Sequence, residues 1–227
     1  MASVIAFLKP TKIKLLFLVE YIIFILFSLT NSKSNPSQIL LVSCYPLIFL
    51  YVFSCILFEL SKNISTIAQS WRIMLFAAGL ILLDQTIKIG VTKLIPYQTL
   101  IPISNNRLYL THTHNINGSW IASAFNVQSK NWIKLLQWGL LVPILILTIF
   151  FRCYYINTYR SSVWVDIAFL GIFSAYVSWA IDMSFRGYVV DFILLPELIS
   201  VDLKDIYLTI GVAAFFAEML DNSQLTS

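Results

Sequence analysis

Six apolar runs, at roughly 13–30, 38–60, 73–95, 133–151, 163–182 and 203–220, constrain this chain more than any motif in it. At 1.5 Å rise per residue, about 20 apolar residues in a helix span the hydrocarbon core of a bilayer. Most of the runs reach that length. The last is among the shortest and carries Glu218, so it is expected to tilt little or to end in the headgroup layer. Composition agrees: 59% of the 227 residues are hydrophobic and only 11% charged, against about 25% charged in a soluble domain. The expected fold is an all-α multi-pass membrane protein with about six transmembrane helices. The net charge of +4 is small and the basic residues are scattered, which argues for no nucleic-acid partner. Cys44, Cys55 and Cys153 have no metal or disulfide spacing and read as small hydrophobes. Leu41-Val42-Ser43-Cys44 follows a polar linker rather than a signal-peptide core, so it is not a lipoprotein cleavage box.

Lys9, Lys12 and Lys14 precede the first run, and no small-residue cleavage site follows it, so an uncleaved helix is expected. "NSKSNPSQ" is a polar turn into the second run. The basic residues divide evenly between the two sides of the membrane. The inner segments are shorter and denser in charge, which favours a cytoplasmic N-terminus. Residues 96–132 and 183–204 are then extracytoplasmic. In the first of these, "RLYLTHTHN" alternates at Leu108 and Leu110 as a short strand does. "NING" is a turn signal, and "SKNWIKLLQW" combines Lys130, Trp132, Lys134 and Trp138 as interfacial segments do. A small sheet or flap lying on the bilayer is expected. His112 and His114 share one face of that strand. With no acid or Cys cluster at ligand spacing, they are expected to bond locally or meet headgroups rather than hold a metal.

Charge inside a bilayer is costly and usually has a partner or a task. Asp84 and Lys88 stand four apart on one helix face, either as an ion pair alone or as a pair that also shapes a site. Asp182 ends the fifth run, Asp191 follows nine residues later, and Asp205 opens the sixth. A short connection makes those two helices antiparallel, so Asp191 and Asp205 can meet at the extracytoplasmic face. Two carboxylates sharing a site do not both ionise cheaply: one keeps a proton as general acid and the other deprotonates a water. Such a pair titrates jointly and hydrolyses amides without metal. Spacing alone favours the plainer alternative of interfacial acids solvated among headgroups. Asp166, near the start of the fifth run, is a charge that the helix dipole favours.

Four segments resemble the lipoprotein signal peptidases, signal peptidase II. "LLDQTIK" is similar to that family's D-Q-x-x-K, "IDMSFRGYVVDF" to its I-D-R-x-x-x-G-x-V-x-D-F, and "VDLKDIYLTIG" to its F-N-x-A-D-S-x-I-x-x-G. "NINGSW" stands where the family has N-x-G-A-A-F, with Asn115 or Asn117 as the counterpart of its Asn, followed by Gly118. The likeness runs in order over about 75–220. It implies a membrane aspartyl endopeptidase of the bacterial cytoplasmic membrane, cutting before the lipid-modified cysteine of a prolipoprotein near the extracytoplasmic surface. By the matched motifs, Asp191 and Asp205 are the catalytic dyad. Asp84, Lys88, Asn115, Asn117, Gly118, Asp182 and Arg186 bind substrate or order the site. The resemblance also implies no cofactor, a lipid-modified protein substrate and membrane lipid as partners, and no particular oligomeric state. It divides the chain into two added helices in 1–70 and a peptidase-like membrane domain in 71–227. That domain has a four-helix core in runs three to six and an extracytoplasmic cradle of strand and loop. The family's G-N is Ser178-Trp179 here, its Arg after Asp182 is Met183, its Asn is Asp202 and its Ala before the second Asp is Lys204. A cation beside Asp205 changes how the dyad shares its proton. These departures keep open a relative that binds a lipoprotein or membrane partner without hydrolysis; a third alternative is an unrelated small transporter or complex subunit, which would need polar residues distributed along a path.

Overall fold

In hydrocarbon every backbone polar group must bond within the protein, so apolar runs become helices. The computed structural model describes residues 7–31, 35–64, 70–104, 107–116, 130–158, 162–196 and 198–223. The elements are α1 (Lys12–Asn31), α2 (Pro36–Asn63), α3 (Ser70–Leu94), β1 (Leu100–Ser104), β2 (Leu108–Asn115), α4 (Lys130–Thr158), α5 (Val163–Phe185), β3 (Val189–Leu195), β4 (Ile199–Val201) and α6 (Leu203–Ser223). Helices α1 to α5 are long and apolar enough to cross a membrane. The sixth run forms α6, which carries Lys204, Asp205, Glu218 and Asp221 and does not reach that mark. The chain is a mostly helical, multi-pass membrane protein. Its outward surface fits that solvent: Leu82, Leu147 and Phe150 are exposed, whereas Asp84, Lys88 and Asp182 are buried.

Local signals set the helix ends. Asn35 caps α2 by accepting from the Ser37 backbone, with Pro36 at the first helical position. Ser162 does the same for α5 through Trp164 N. At the other end of α5, Arg186 N and Gly187 N both donate to the Asp182 carbonyl. Gly187 takes φ +75°, a conformation that costs glycine least, and the turn delivers the chain into β3.

The helices pack in pairs, α5 with α6 and α1 with α2. Phe17 of α1 joins Trp164 and Ala168 of α5 and Ala213, Ala214 and Ala217 of α6 in one cluster, so the first helix is seated on the bundle. Gly171 and Gly211 mark where α5 and α6 cross backbone to backbone. A Cβ built on Gly171 lies 2.4 Å from the Tyr207 carbonyl oxygen and 2.6 Å from Gly211 Cα.

The sheet is antiparallel, in the order β1-β2-β3-β4. It stands on the end of α3, where Val91 and Ile95 pack against Val190 and Phe192 of β3. The short strand expected in "RLYLTHTHN" is the eight-residue β2. The stretch 183–204, read as a connecting loop, contains two more strands, and Asp191 lies on β3 rather than in a loop. Continuous burial on both faces of β3 explains the difference: Val189, Val190, Asp191 and Phe192 are all buried, so no alternation marks the strand. Two acids that stand alone in the sequence gain partners. Asp166 is in the first turn of α5 as expected, but it is buried and pairs with Arg152 Nη2 at 3.2 Å. Glu218 on the sixth run is buried and accepts hydrogen bonds from the Tyr155 and Ser162 hydroxyls. The two histidines bond locally, with Nε2 atoms 3.1 Å apart and His112 Nδ1 2.9 Å from the Ile95 carbonyl oxygen.

Candidate active site

The larger cluster of buried polar groups lies at the end of the bundle that carries the sheet. Helical spacing puts Asp84, Gln85 and Lys88 on the inner side of α3, and Ser178, Asp182 and Arg186 in one row along the last turns of α5. Lys88 is the hub. Its buried Nζ lies 2.7 Å from Asp84 Oδ2, 2.5 Å from Asp182 Oδ2 and 2.7 Å from Asp202 Oδ2. One ammonium thereby ties α3, α5 and the entry to α6 together, and three acids share its charge. Around it, Ser178 Oγ donates to Asp84, and Gln85 Nε2 donates to Ser178 Oγ at 3.0 Å and Asp182 Oδ1 at 3.1 Å. Arg186 Nη1 donates to Gln85 Oε1 at 2.7 Å and also to Asp182, so its reach is toward the hub.

Beyond the hub lies a second acidic group. Asp202 caps α6: its Oδ1 accepts from Asp205 N, and Asp202 N donates back to Asp205 Oδ2, both at 3.2 Å. This reciprocal arrangement is a capping box with aspartate in place of the usual glutamate. Lys204 Nζ lies 3.0 Å from Asp202 Oδ1 and 2.9 Å from Asp205 Oδ1. Asp191 comes in from β3. Its Oδ2 accepts from Asn115 Nδ2 at 3.2 Å and Ser200 Oγ at 3.1 Å, while its buried Oδ1 has no hydrogen-bond partner among the described residues. Asp191, Asp202 and Asp205 each bring one carboxylate oxygen within 4.8 Å of the others. Asp84, Asp182 and Asp202 form a similar triad. Such triads are where a divalent cation would find oxygen ligands, and here ammonium groups lie against both: Lys88 against all three acids of one, Lys204 against two of the other.

Electrostatics separates the acids. Burial pushes the Asp191 carboxyl up to about 7, and the charges of Asp202 and Asp205 push the same way against the opposing pull of Lys204. Burial would also raise Asp202, but Lys204 and Lys88 outweigh it and hold that carboxyl below its ordinary value. Burial raises the Asp205 carboxyl as well, against the opposing pull of Lys204, but this side chain is only half-buried, with 41% of it exposed. An enclosed acid that keeps its proton up to about neutral pH therefore stands beside a more accessible one that a cation touches.

Of the residues singled out from sequence, Asp84, Lys88, Asn115, Asp182, Arg186, Asp191 and Asp205 converge here. Asn117 and Gly118 lie outside the described residues. Gln85, Ser200 and the capping role of Asp202 were not anticipated, although the spacing Asp-x-x-Asp before an apolar helix is itself a capping signal. Trp179 and Met183 face away from these acids into a cluster with Leu141 of α4 and Val189 of β3, where Trp179 lies 5.4 Å from Trp138, ring to ring.

The fold resembles two solved structures described as bacterial membrane enzymes obtained by the in meso method. One shares 20% identity at a TM-score of 0.58, covering 72% of this chain and 96% of its own. The other shares 20% identity at the same TM-score, covering 69% of this chain and 97% of its own. No curated protein matches. The family model described as signal peptidase (SPase) II matches residues 76–221, the stretch from α3 to α6 that builds the hub, the sheet and the acid group. On that match over more than half its length, the chain belongs to the signal peptidase II family.

Proposed function

We propose that this protein is an aspartyl endopeptidase that removes the signal peptide of a lipid-modified prolipoprotein, or cuts a closely related lipidated substrate. In this reading Asp191 and Asp205 carry the chemistry. The supporting observation is the 4.8 Å limit on the separation of their nearest oxygens, a gap that one water bridges. Asp205 takes a proton from that water, whose oxygen attacks the scissile carbonyl carbon. Asp191 gives its proton to the carbonyl oxygen, leaving a gem-diol. Asp205 then returns its proton to the departing amine as the C–N bond breaks, and Asp191 recovers one from the diol. The sum is water added across the amide. Lys88, Asp84 and Asp182 touch none of the reacting atoms; they fix the entry to α6 relative to α3 and α5. The bound partners are lipidated protein and membrane lipid, and the sheet end of the bundle faces the extracytoplasmic side of the bacterial cytoplasmic membrane.

The test is cleavage of a diacylglyceryl-modified precursor by the purified protein in lipid. Asp191→Asn and Asp205→Asn are each expected to abolish it, and full activity in either removes the dyad from the mechanism. A second reading, binding of a lipoprotein without hydrolysis, draws on the Asp205 carboxylate, whose two oxygens are already engaged by Lys204 and by the α6 cap. It predicts recovery of uncut lipoprotein with the protein, undiminished in both variants.

A further inference from the structure

The two acids of the dyad are held differently. Asp205 has a cation on one oxygen, Lys204 Nζ at 2.9 Å, and a backbone donor on the other. Among the described residues Asp191 has only neutral donors, Asn115 and Ser200, both on Oδ2. Its Oδ1 is buried and unpartnered, and no ion pair reaches it among the described residues. An ionised carboxylate with a bare, desolvated oxygen is costly, whereas a protonated one is not. Lys204 is itself nearly enclosed, so its field is weakly screened. It cannot swing away cheaply either, because Asp202 holds it from the other side at 3.0 Å.

Resting on the hydrolytic reading above, we propose that Lys204 polarises the dyad: its ammonium holds Asp205 as the anion and leaves the shared proton on Asp191. Asp205 is then the general base from the start of each turnover, and Asp191 the general acid. Lys204 touches no reacting atom and is a positioning residue. Among the described residues, the other charged or titratable groups around the pair are Asp84 and Lys88 from α3, His112 and His114 from β2, Asp182 and Arg186 from α5, Asp202 before α6, and Tyr207 on α6. Lys88 and Arg186 are engaged with Asp84, Asp182 and Asp202, which leaves Lys204, among the described residues, as the cation in contact with the dyad. From β2, Thr113 and Asn115, which do not titrate, bond to Asp191, and His114 stands opposite Val190 with its ring bonded to His112. Asp202 and Lys204 stand where the resembling pattern has Asn and Ala, so the added negative and positive charges come as a matched pair.

Two measurements test this in lipid. Isotope-edited infrared titration of the aspartate carboxyl stretch reads the proton directly. Near pH 6, below the value of about 7 expected for Asp191, a protonated-carboxyl band should be present in the wild type and in D205N and absent in D191N. The pH profile of kcat/KM reads the consequence. In K204M the acid limb, set by Asp205, should move up by about one unit or more, as loss of an adjacent opposite charge implies. K204R keeps the charge and should leave the limb in place. D202N/K204M removes both charges, guards against misfolding from an unpaired Asp202, and should show the same shifted limb. A neutral-pH band lost in D205N instead of D191N overturns the proposal, as does an unmoved limb in both K204M and D202N/K204M. If no variant and no wild type cleaves while the band still follows Asp191, the polarised pair stands and only the hydrolytic reading falls.

Discussion

Replacing Gly171 with alanine tests whether the α5–α6 crossing sets the geometry of the acids. The added Cβ would sit 2.4 Å from the Tyr207 carbonyl oxygen, 2.6 Å from Gly211 Cα and 2.7 Å from Gly211 N. All three are backbone atoms, so no rotamer change relieves the clash, and reaching ordinary contact near 3.5 Å requires the helices to part by about 1 Å. Overpacking of this kind costs about 1–3 kcal/mol, more than the roughly 1 kcal/mol that alanine gains over glycine in a helix. The displacement reaches the chemistry. Asp205 precedes Gly211 by six residues on the same helix, about 9 Å along its axis, while Asp191 is anchored in the sheet. A 1 Å misplacement of a reacting group lowers rate by about 100-fold. Gly171→Ala is therefore expected to melt earlier in detergent and to lose about two orders of magnitude in precursor cleavage. Gly79→Ala and Gly90→Ala are the controls, because a Cβ at either meets nothing within 4 Å. A Gly171→Ala protein with wild-type melting and full cleavage would refute the claim that this crossing positions Asp205.

Two further outcomes concern the charges. Lys88→Met strips three buried carboxylates of their common cation, and breaking a buried pair in this way costs about 3–5 kcal/mol; thermal unfolding in micelles should show it, with partial recovery in K88M/D202N. Asp191 carries a raised carboxyl, about 7 folded against about 3.9 unfolded. The folded protein therefore binds the extra proton between those values, and this group's stabilisation, complete below pH 4, is lost as pH rises through 7. Asp191→Asn, neutral at every pH, should remove that slope and melt above the wild type at pH 8. Equal pH dependence in the two proteins would mean that Asp191 is ionised at neutrality.

The parts of the fold that were legible in the sequence are those the bilayer dictates. Runs at 73–95 and 163–182 became Ser70–Leu94 and Val163–Phe185, because a helix in hydrocarbon must be apolar for its whole length. The strand at "RLYLTHTHN" was legible by alternation, but β3 was not, since a strand covered on both faces has no period to read. β1 contains Pro102, which lowers its strand signal although an edge strand tolerates it. In the site, the Asp84–Lys88 contact is local and follows from helical spacing. The reach of Lys88 to Asp182, 94 residues on, depends on how α3 packs against α5, and no pattern within either helix specifies that. Asp166 and Glu218 each looked solitary for the same reason: their partners, Arg152 and Tyr155, lie on a different helix.

Those partners bear on the transporter alternative. Buried charge in this protein lies at both ends of α5: Asp182 with the hub at one, Asp166 with Arg152 at the other, and Glu218 near the latter through Ser162. The two α5 acids are 16 residues apart, about 24 Å along the helix. Between them, 167–181 carries no acid, base or histidine, and its Ser174 bonds back to the Ala77 carbonyl. A permeation or proton path needs polar steps spaced closely enough to hand its cargo on. Here each cluster is instead closed by its own ion pairs and hydrogen bonds. Among the described residues, the cluster at the sheet end opens to solvent through Asp205, whereas Asp166, Arg152 and Glu218 are buried. That asymmetry is what a hydrolase at the membrane surface requires: water admitted to one acid, the rest of the charge locked beneath it. It would be lost if solvent-accessibility labelling of cysteines placed along 167–181 found a continuous wet face.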